Sequence, residues 1–315
     1  MSDPQRRADA IVQGDRRMLA QALTTVERGG ADARAMVRCL PALPEGRVIG
    51  ITGAPGAGKS TLTTALAQAF RARGMTVAII AVDPSSPLTG GSLLGDRIRM
   101  YDLAGDSGVF IRSMANRGRF GGIAAATADA MALMTAAGFA VILIETVGAG
   151  QSDVAVADVA DTILLVEAPG MGDEVQSIKA GLLEVADVIA VSKSDRADAA
   201  ATLQQLRALV QMQHPSNDAW PVAVCGVSAL QQTGIEELTD ALLAHRSFLA
   251  THPHTARALH RRRMSLQRAI EVQLYEAVGR TTAWQSAHTL LTHDASIDID
   301  VLAQQILAEW RRSAD

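Results

Sequence analysis

Cysteine, aromatic side chains and long apolar runs are all scarce in this chain of 315 residues. The only two cysteines, Cys39 and Cys225, stand far apart, so the sequence offers neither a disulfide framework nor a CxxC metal site. A reducing compartment is the default for such a chain, and the polar N-terminus is unlike a signal peptide. No uninterrupted apolar run reaches about 18 residues. We therefore expect a cytoplasmic protein with no membrane span and no membrane partner.

A charge excess of one sign is also missing, because the formal net charge is only −4. A nearly even balance does not attract nucleic acid by bulk electrostatics, so we expect no nucleic-acid partner. The basic run Arg261-Arg262-Arg263 is interpreted as a solvated helix face.

Apolar residues make up 48% of the chain although aromatics make up only 3%. Alanine, leucine and valine therefore form the core, as is typical of helices packed over a parallel sheet.

Short apolar runs recur through the middle of the chain, and each ends in a polar or glycine-rich cluster. They are Val48–Thr52, Val77–Val82, Val141–Ile144, Thr162–Val166, Val188–Val191 and Val222–Cys225. Helix-like segments separate most of them, such as Ser60–Arg73, Gly121–Ala137 and Ala199–Met212. This alternation predicts an α/β fold with a mostly parallel, doubly wound sheet. Ligands of such sheets bind outside the carboxyl ends of the strands.

The two ends of the chain have a different, helical pattern. Residues 9–40 are predicted to be helical, with a break at Gly29-Gly30. Residues 255–279 predict a long amphipathic helix, and Ile299–Arg312 a second one. We therefore expect an N-terminal helical region at 1–45, a nucleotide-binding domain at 46–250 and a C-terminal helical arm at 251–315.

A glycine-rich segment follows the first apolar run and matches the pattern GxxxxGK[ST]. Its glycines let the backbone curl around phosphates without Cβ clashes, and its amides then point at the anion. Lys59 would neutralise the β- and γ-phosphates, and Ser60 would bind Mg²⁺. The segment predicts a P-loop nucleoside triphosphatase. The candidate phosphate-binding residues are Gly53, Gly56, Ala57, Gly58, Lys59, Ser60 and Thr61.

Acidic residues follow two of the apolar runs. Asp83 ends the second run, Glu145 ends the third, and Asp96 lies in a glycine-rich segment between them. A single aspartate is ordinarily a turn or cap residue, but carboxylates at strand ends can hold Mg²⁺ or its waters. The candidate metal ligands are Ser60, Asp83, Asp96 and Glu145. Gly148 could offer an amide to the γ-phosphate and move when that phosphate leaves.

The residues after the fifth run, Ser192-Lys193-Ser194-Asp195, resemble a guanine-reading loop of the form Asn-Lys-x-Asp. The aspartate of such a loop accepts two hydrogen bonds from guanine N1 and N2, which adenine cannot supply, and the lysine stem covers the base. Ser192 replaces an asparagine that normally braces neighbouring loops. After the last run, the backbone of Ser228-Ala229-Leu230 fits a loop that reads the guanine carbonyl. These loops predict GTP and GDP as ligands.

Taken together, these motifs resemble those of the MeaB-type GTPases, which are chaperones of adenosylcobalamin-dependent acyl-CoA mutases such as methylmalonyl-CoA mutase. The resemblance extends from about residue 14 to about residue 250. The most diagnostic segment is Glu145–Ser152, which has Glu where most GTPases carry Asp. Further matching segments are Val82–Pro87, Gly90–Arg97 and Pro169–Lys179.

The resemblance implies a homodimer with a C-terminal dimerisation arm, a mutase partner, and GTP hydrolysis that gates the entry and replacement of the cobalamin cofactor. It also implies that a mobile loop carrying Asp173, Gln176 and Lys179 couples mutase contact to hydrolysis. Lys59, Glu145, Gly148 and Lys179 are the candidate catalytic residues. We expect slow intrinsic turnover, accelerated when the mutase reorders Arg112, Lys179 or Gln176. The segment 112–122 departs from the family's Pro- and Ser-rich stretch.

Two other functional classes remain open. A metal-delivery GTPase of the hydrogenase or urease maturation kind has similar motifs but needs a Cys- or His-rich metal site, and Cys39, Cys225, His252 and His254 do not supply one. A kinase acting on a protein or small molecule is the second alternative. The guanine-type loops argue against it.

Overall fold

A computed structural model describes residues 3–41, 46–83, 103, 105–115, 122–146, 156–170, 182–212, 220–253, 255–293 and 297–314. The chain forms two compact units, Met1–Leu259 and His260–Asp315. The first unit contains the sheet and every described residue of the predicted site.

The first unit is built on a seven-stranded sheet in which every strand pair is parallel, so the predicted α/β fold is confirmed. The spatial order is β3-β2-β4-β1-β5-β6-β7. The strands are β1 (Val48–Gly53), β2 (Val77–Asp83), β3 (Val109–Ala115), β4 (Val141–Thr146), β5 (Thr162–Glu167), β6 (Val188–Val191) and β7 (Ala223–Gly226). The edge strand β3 was not predicted, because Arg112 and Ser113 interrupt its apolar run.

Helices surround the sheet and form both ends of the chain. Those of the described residues are α1 (Asp3–Val12), α2 (Arg16–Arg28), α3 (Ala31–Arg38), α4 (Lys59–Ala72), α5 (Gly122–Ala136), α6 (Ala199–Met212), α7 (Ile235–Thr251), α8 (Ala256–Gly279), α9 (Thr282–His293) and α10 (Ile299–Ala314). Within the described part of the chain, no helix combines the length and apolar character needed to cross a membrane.

The N-terminal helices differ from the prediction, which had a single break at Gly29-Gly30. A second break separates α1 from α2, where Gly14 adopts a left-handed φ of 86°. Asp15 then caps α2, because its carboxylate accepts a hydrogen bond from the Met18 amide at 2.9 Å. Helix α9 was also not predicted.

Two apolar layers cover the two faces of the sheet. Helices α4 and α7 pack on one face, where Leu66, Phe70 and Leu238 are buried against the strands. Helices α1, α2, α3 and α5 pack on the other face, where Leu23 and Leu133 are buried. The strands are covered on both faces, which explains why their sequences are almost continuously apolar.

Polar contacts secure α7 to the amino ends of the strands. The Asp187 carboxylate accepts a hydrogen bond from the Ile163 amide at 2.8 Å and lies 3.4 Å from Nε2 of His245. The other ring nitrogen of His245 is 2.9 Å from the Thr162 hydroxyl, and the indole N–H of Trp220 donates to the Asp187 carbonyl at 2.9 Å. This buried cluster fixes the C-terminal half of α7 at the amino edge of the sheet. The predicted site lies at the opposite, carboxyl edge.

The second unit has a small core of its own. Ala287, Leu302 and Ile306 are buried between α9 and α10. The carboxylate of Glu309 accepts hydrogen bonds from the amides of Ala283 and Thr282, each at 2.8 Å, and these bonds lower the pKa of Glu309. Glu309 thereby caps α9, since the first amides of a helix have no partner within it.

Asp129 on α5 is a carboxyl group that folding removes from water. Burial raises the pKa of Asp129 to about 6, and the positive charge of Arg34 only partly opposes this rise. A raised carboxyl pKa means that the ionised form is less stable in the folded protein than in the unfolded chain.

We expect Asp129→Asn to stabilise the protein above pH 7 and not at pH 4. The free-energy cost of burying the ionised Asp129 carboxylate is complete above its folded pKa of about 6. This cost disappears as the pH falls below the ordinary pKa of 3.8. The predicted gain at high pH is about 3 kcal/mol. Urea unfolding between pH 4 and pH 8 measures it, with the exposed Glu184→Gln as the matched control. A gain that did not change with pH would contradict the prediction.

Candidate functional site

The P-loop lies between the carboxyl end of β1 and the first turn of α4. Gly56 and Gly58 have left-handed φ values of 76° and 91°, which favour glycine. At Gly53, φ is 142°, and a Cβ atom would lie 2.1 Å from the carbonyl oxygen of Val166 on β5. Ala57 is fully buried in the loop. The glycine spacing therefore reflects both a curled backbone and a close approach to the neighbouring strand.

Lys59 and Ser60 begin α4 at the amino end of the helix. The buried Lys59 ammonium group donates hydrogen bonds to the carbonyls of Gly53 at 2.6 Å and Ala54 at 3.1 Å. Thr61 is exposed in the same first turn. The backbone amides at such a helix start attract anions, so the loop, the lysine and the helix end can together hold phosphate groups.

The Ser60 hydroxyl donates a hydrogen bond to the carboxylate of Glu145. Glu145 is 4% exposed and lies on β4, paired in register with Ile51 of β1. The structure thus brings a hydroxyl and a carboxylate oxygen together beside the P-loop. Oxygen donors of this kind are the ligands that Mg²⁺ prefers, so these two residues fit the predicted ion.

Asp83 is the last residue of β2, one position beyond Val82, which pairs with Thr146 of β4. Its backbone is therefore at the same edge of the sheet as Glu145, although its side chain is not among the described parts. Asp96, Gly148, Asp173, Gln176 and Lys179 lie outside the described residues, so their predicted roles stay predictions.

Ser192 connects the predicted base-reading loop to the P-loop. Its hydroxyl donates a hydrogen bond to the Ala57 carbonyl at 2.5 Å, and its amide donates to the Glu167 carbonyl at 2.7 Å. Lys193, with a φ of 53°, donates from Nζ to the Gly56 carbonyl at 2.9 Å. A serine at position 192 thus makes a contact between the two loops, which is the bracing role expected of the asparagine it replaces.

The two predicted base-reading loops are joined to one another. The Ser194 amide donates to the Val227 carbonyl at 3.0 Å. A hydrogen bond from the Ser228 hydroxyl is the main cause that lowers the pKa of Asp195. Asp195 is therefore an ionised acceptor, as reading the guanine N–H groups requires. Ala229 is half-buried next to Ser228, whereas Leu230 is 88% exposed at the tip of the loop.

Arg112 has a partner that the sequence did not indicate. Its guanidinium group forms two hydrogen bonds with the carboxylate of Glu27 on α2, at 2.8 and 2.7 Å, and a third with the Thr24 hydroxyl at 3.2 Å. Arg112 and Glu27 are 85 positions apart in the sequence, so no local pattern predicts this pair. The arginine is held on the sheet face opposite α4.

Sequence reasoning also missed backbone groups that shape the site. The carbonyls of Ala54, Ala57, Val166 and Glu167 contact or constrain the predicted residues. Every residue type carries such a carbonyl, so no side-chain pattern could have identified them.

A glycine loop of this geometry at the carboxyl edge of a parallel sheet places the chain among the P-loop nucleoside triphosphatases. The family model described as methylmalonyl Co-A mutase-associated GTPase MeaB matches residues 19–283, and the chain belongs to this family. The resemblance found from the motifs is thereby confirmed. Membership of a GTPase family also implies that the chain binds a guanine nucleotide.

Individual relatives agree with this assignment. A putative GTPase of Pyrococcus abyssi is 46% identical over 244 residues, which cover 76% of this chain and 75% of the relative. The mouse protein named methylmalonic aciduria type A homolog, mitochondrial, is 35% identical over 74% of this chain and 60% of its own length. A crystal structure described as a LAO/AO transport system kinase superimposes with a TM-score of 0.68 at 26% identity and covers 98% of both chains.

We expect Ser192→Ala to weaken the binding of every nucleotide without changing base preference. The substitution removes the hydrogen bond to the Ala57 carbonyl, which is worth about 1 kcal/mol, or roughly fivefold in affinity. Calorimetric titration with GDP and ADP measures both effects. Ser192→Asn is the matched control, because it keeps a donor and should bind at least as tightly as the natural protein. Unchanged GDP affinity in Ser192→Ala would contradict the bracing role.

Proposed function

We propose that this protein is a GTP-hydrolysing chaperone that gates the loading and replacement of adenosylcobalamin in an acyl-CoA mutase, either methylmalonyl-CoA mutase or a related enzyme. The observation that carries the nucleotide chemistry is the connection of the Asp195 loop to the P-loop through Ser192 and Ala57. The partner is supported by the description of the family, whose members are named as associated with methylmalonyl-CoA mutase.

The candidate site residues have distinct roles in this proposal. Lys59 and the P-loop amides hold the phosphates, and Asp195 selects guanine. Ser60 and Glu145, together with Asp83 and Asp96, would hold Mg²⁺. When bound, the ion supplies positive charge that offsets the negative charge on the phosphoryl group being transferred. In the same proposal, the Gly148 amide senses the γ-phosphate and Lys179 contributes to the coupling loop.

Slow intrinsic hydrolysis is part of the proposal. Arg112 is engaged by Glu27 and Thr24 on the face of the sheet opposite α4. A further stabilising group, either a cation or a hydrogen-bond donor, must be brought to the phosphates to offset the charge that develops during hydrolysis. We infer that contact with the mutase reorders one of the three candidates, Arg112, Gln176 or Lys179, and so accelerates the reaction.

We expect the cognate mutase to raise the GTP hydrolysis rate by at least about tenfold, and by no more than the roughly 10³–10⁵-fold that a supplied arginine gives. Phosphate release under saturating GTP, with and without mutase, measures the effect. Lys59→Ala is the control and should hydrolyse GTP poorly in both conditions. If the mutase left the rate of the natural protein unchanged, the coupling would be rejected while the GTPase chemistry would stand.

The partner can be identified by affinity capture from the native extract, with GDP and with a non-hydrolysable GTP analogue. Recovery of a cobalamin-dependent mutase subunit would support the chaperone role, and recovery of a nickel enzyme or transporter component would favour an alternative.

Over the part of the chain that the structure describes, no group of three or more His, Cys, Asp or Glu side chains could hold a metal. Burial raises the pKa of the Cys225 thiol to about 11, which further disfavours it as a metal ligand.

A kinase activity is the other alternative, and its test is direct. Incubation with γ-labelled nucleotide should leave the label in inorganic phosphate if the protein is a hydrolase. Transfer of the label to a protein or a small molecule would favour the kinase. We prefer the GTPase because Ser228 and Asp195, which belong to the two loops predicted to read guanine, are hydrogen-bonded to each other.

We further propose that the chain has three parts along its sequence: an N-terminal helical region at 1–45, a GTPase domain at 46–250 and a dimerisation arm at 251–315. Helix α8 carries a row of exposed large apolar side chains, Leu259, Leu266, Ile270 and Leu274, which are between 43% and 62% exposed. Their spacing places them on one face of the helix. A continuous apolar row of this kind is costly to leave in water, and a second copy of the chain would cover it.

We expect the double variant Leu266→Glu, Ile270→Glu to be monomeric under conditions in which the natural protein is a dimer, because two carboxylates would be buried in the apolar contact. Light scattering coupled to size-exclusion chromatography measures the molecular mass. Leu209→Glu on α6, at a comparably exposed leucine of the first unit, is the control and should remain dimeric. A dimeric double variant would rule out this face.

A further inference from the structure

Two arginines converge at the amino edge of the sheet, at the opposite end of β1 from the P-loop. Arg47 immediately precedes β1, and Arg246 lies on α7 beside the buried His245. The Arg47 guanidinium donates from Nη1 to the Phe139 carbonyl at 3.0 Å. The Arg246 guanidinium donates from Nη1 to the next carbonyl, that of Ala140, also at 3.0 Å. The turn before β4 therefore brings two positive charges together.

The charges at this place are not balanced by the described carboxylates. Burial lowers the pKa of Arg246, the neighbouring positive charge of Arg47 lowers it further, and Asp161 partly opposes both effects. Among the described residues, no carboxylate lies within 4.0 Å of either guanidinium group. The Asp161 carboxylate accepts a hydrogen bond from the Val48 amide at 2.9 Å.

Some hydrogen-bond donors of the two guanidinium groups have no partner among the described protein groups. Nε of Arg47 is buried and has no hydrogen-bond partner among the described residues. Each guanidinium group has five N–H donors, and each makes one described hydrogen bond, to a backbone carbonyl. Buried polar groups without partners are rare in folded proteins, and an oxyanion is the ligand whose geometry matches paired guanidinium donors.

We propose that Arg47 and Arg246 form a binding site for a small oxyanion with at least two acceptor oxygens, either a phosphate or a carboxylate. The bound anion offsets the repulsion between the two cations and holds together the start of β1, the turn before β4 and α7. The site is separate from the nucleotide pocket, because Arg47 precedes Val48 whereas the P-loop follows Gly53 at the far end of the same strand. It does not depend on the mutase partner.

The test uses the full-length protein saturated with Mg²⁺ and GDP, so that the P-loop is filled. Inorganic phosphate and acetate are titrated against sodium chloride at equal ionic strength, and the thermal unfolding midpoint is followed. We expect a saturable rise of the midpoint with at least one of the two oxyanions, because a ligand that binds only the folded state stabilises it. The probe that gives the larger rise identifies the class of anion.

Arg246→Gln should weaken the apparent affinity for that oxyanion at least about tenfold, since a charge-assisted pair is lost. Arg207→Gln is the matched control, because the exposed Arg207 also donates to a single carbonyl, that of Val224 at 3.1 Å, and should respond like the natural protein. If Arg246→Gln does not fold, Arg246→Lys keeps the charge but loses the forked donor, and should bind at least about threefold more weakly.

Two results would overturn the proposal. One is a natural protein that responds to phosphate and acetate no differently from chloride. The other is a folded Arg246 variant that retains the full oxyanion response of the natural protein, which would place the anion elsewhere on the surface.

Discussion

The hydrogen bond from the Ser192 hydroxyl to the Ala57 carbonyl is the contact on which the proposed nucleotide pocket depends. It fixes the predicted base-reading loop to the P-loop, and Lys193 adds a second hydrogen bond, to the Gly56 carbonyl. In the proposed pocket a nucleotide contacts both loops at once, so the relative position of the loops decides whether the base and the phosphates can be held together. That position rests in turn on Gly53, where only the absence of a Cβ atom lets β1 approach the Val166 carbonyl of β5.

The two faces of the sheet carry different parts of the proposed function. Helix α4 covers one face and begins at Lys59, so it presents the candidate phosphate-binding residues at the carboxyl edge. The N-terminal helices cover the other face, and α2 is tied to β3 by the pair of Arg112 and Glu27. Movement of β3 relative to α2 would break a half-buried pair of charges, which is costly without a new partner for each charge. The N-terminal helices therefore restrain β3 and any rearrangement of Arg112.

Local patterns predicted most of the sheet and indicated the candidate residues of the site, whose roles stay predictions. They could not predict the long-range contacts. The GxxxxGK[ST] segment, Glu145 at a strand end and the Asp195 loop each follow from neighbouring residues. Strand β3 was missed because its polar residues, Arg112 and Ser113, resemble a loop until Glu27 is known to neutralise the arginine. The acceptor for Ser192 is a backbone carbonyl, and Arg47 and Arg246 are brought together only by the fold. Asp96, Gly148 and Lys179 lie outside the described residues and stay predictions.

The most direct test of the guanine-nucleotide pocket is calorimetric titration of the natural protein and of Asp195→Asn with GDP and with ADP, both in the presence of Mg²⁺. We expect the natural protein to bind GDP at least about 100-fold more tightly than ADP, because Asp195 accepts hydrogen bonds that adenine cannot donate. Asp195→Asn should lose most of this preference, whereas Asp198→Asn, in the same loop, should keep it. Equal or tighter binding of ADP by the natural protein would contradict the assignment of the pocket to guanine nucleotides.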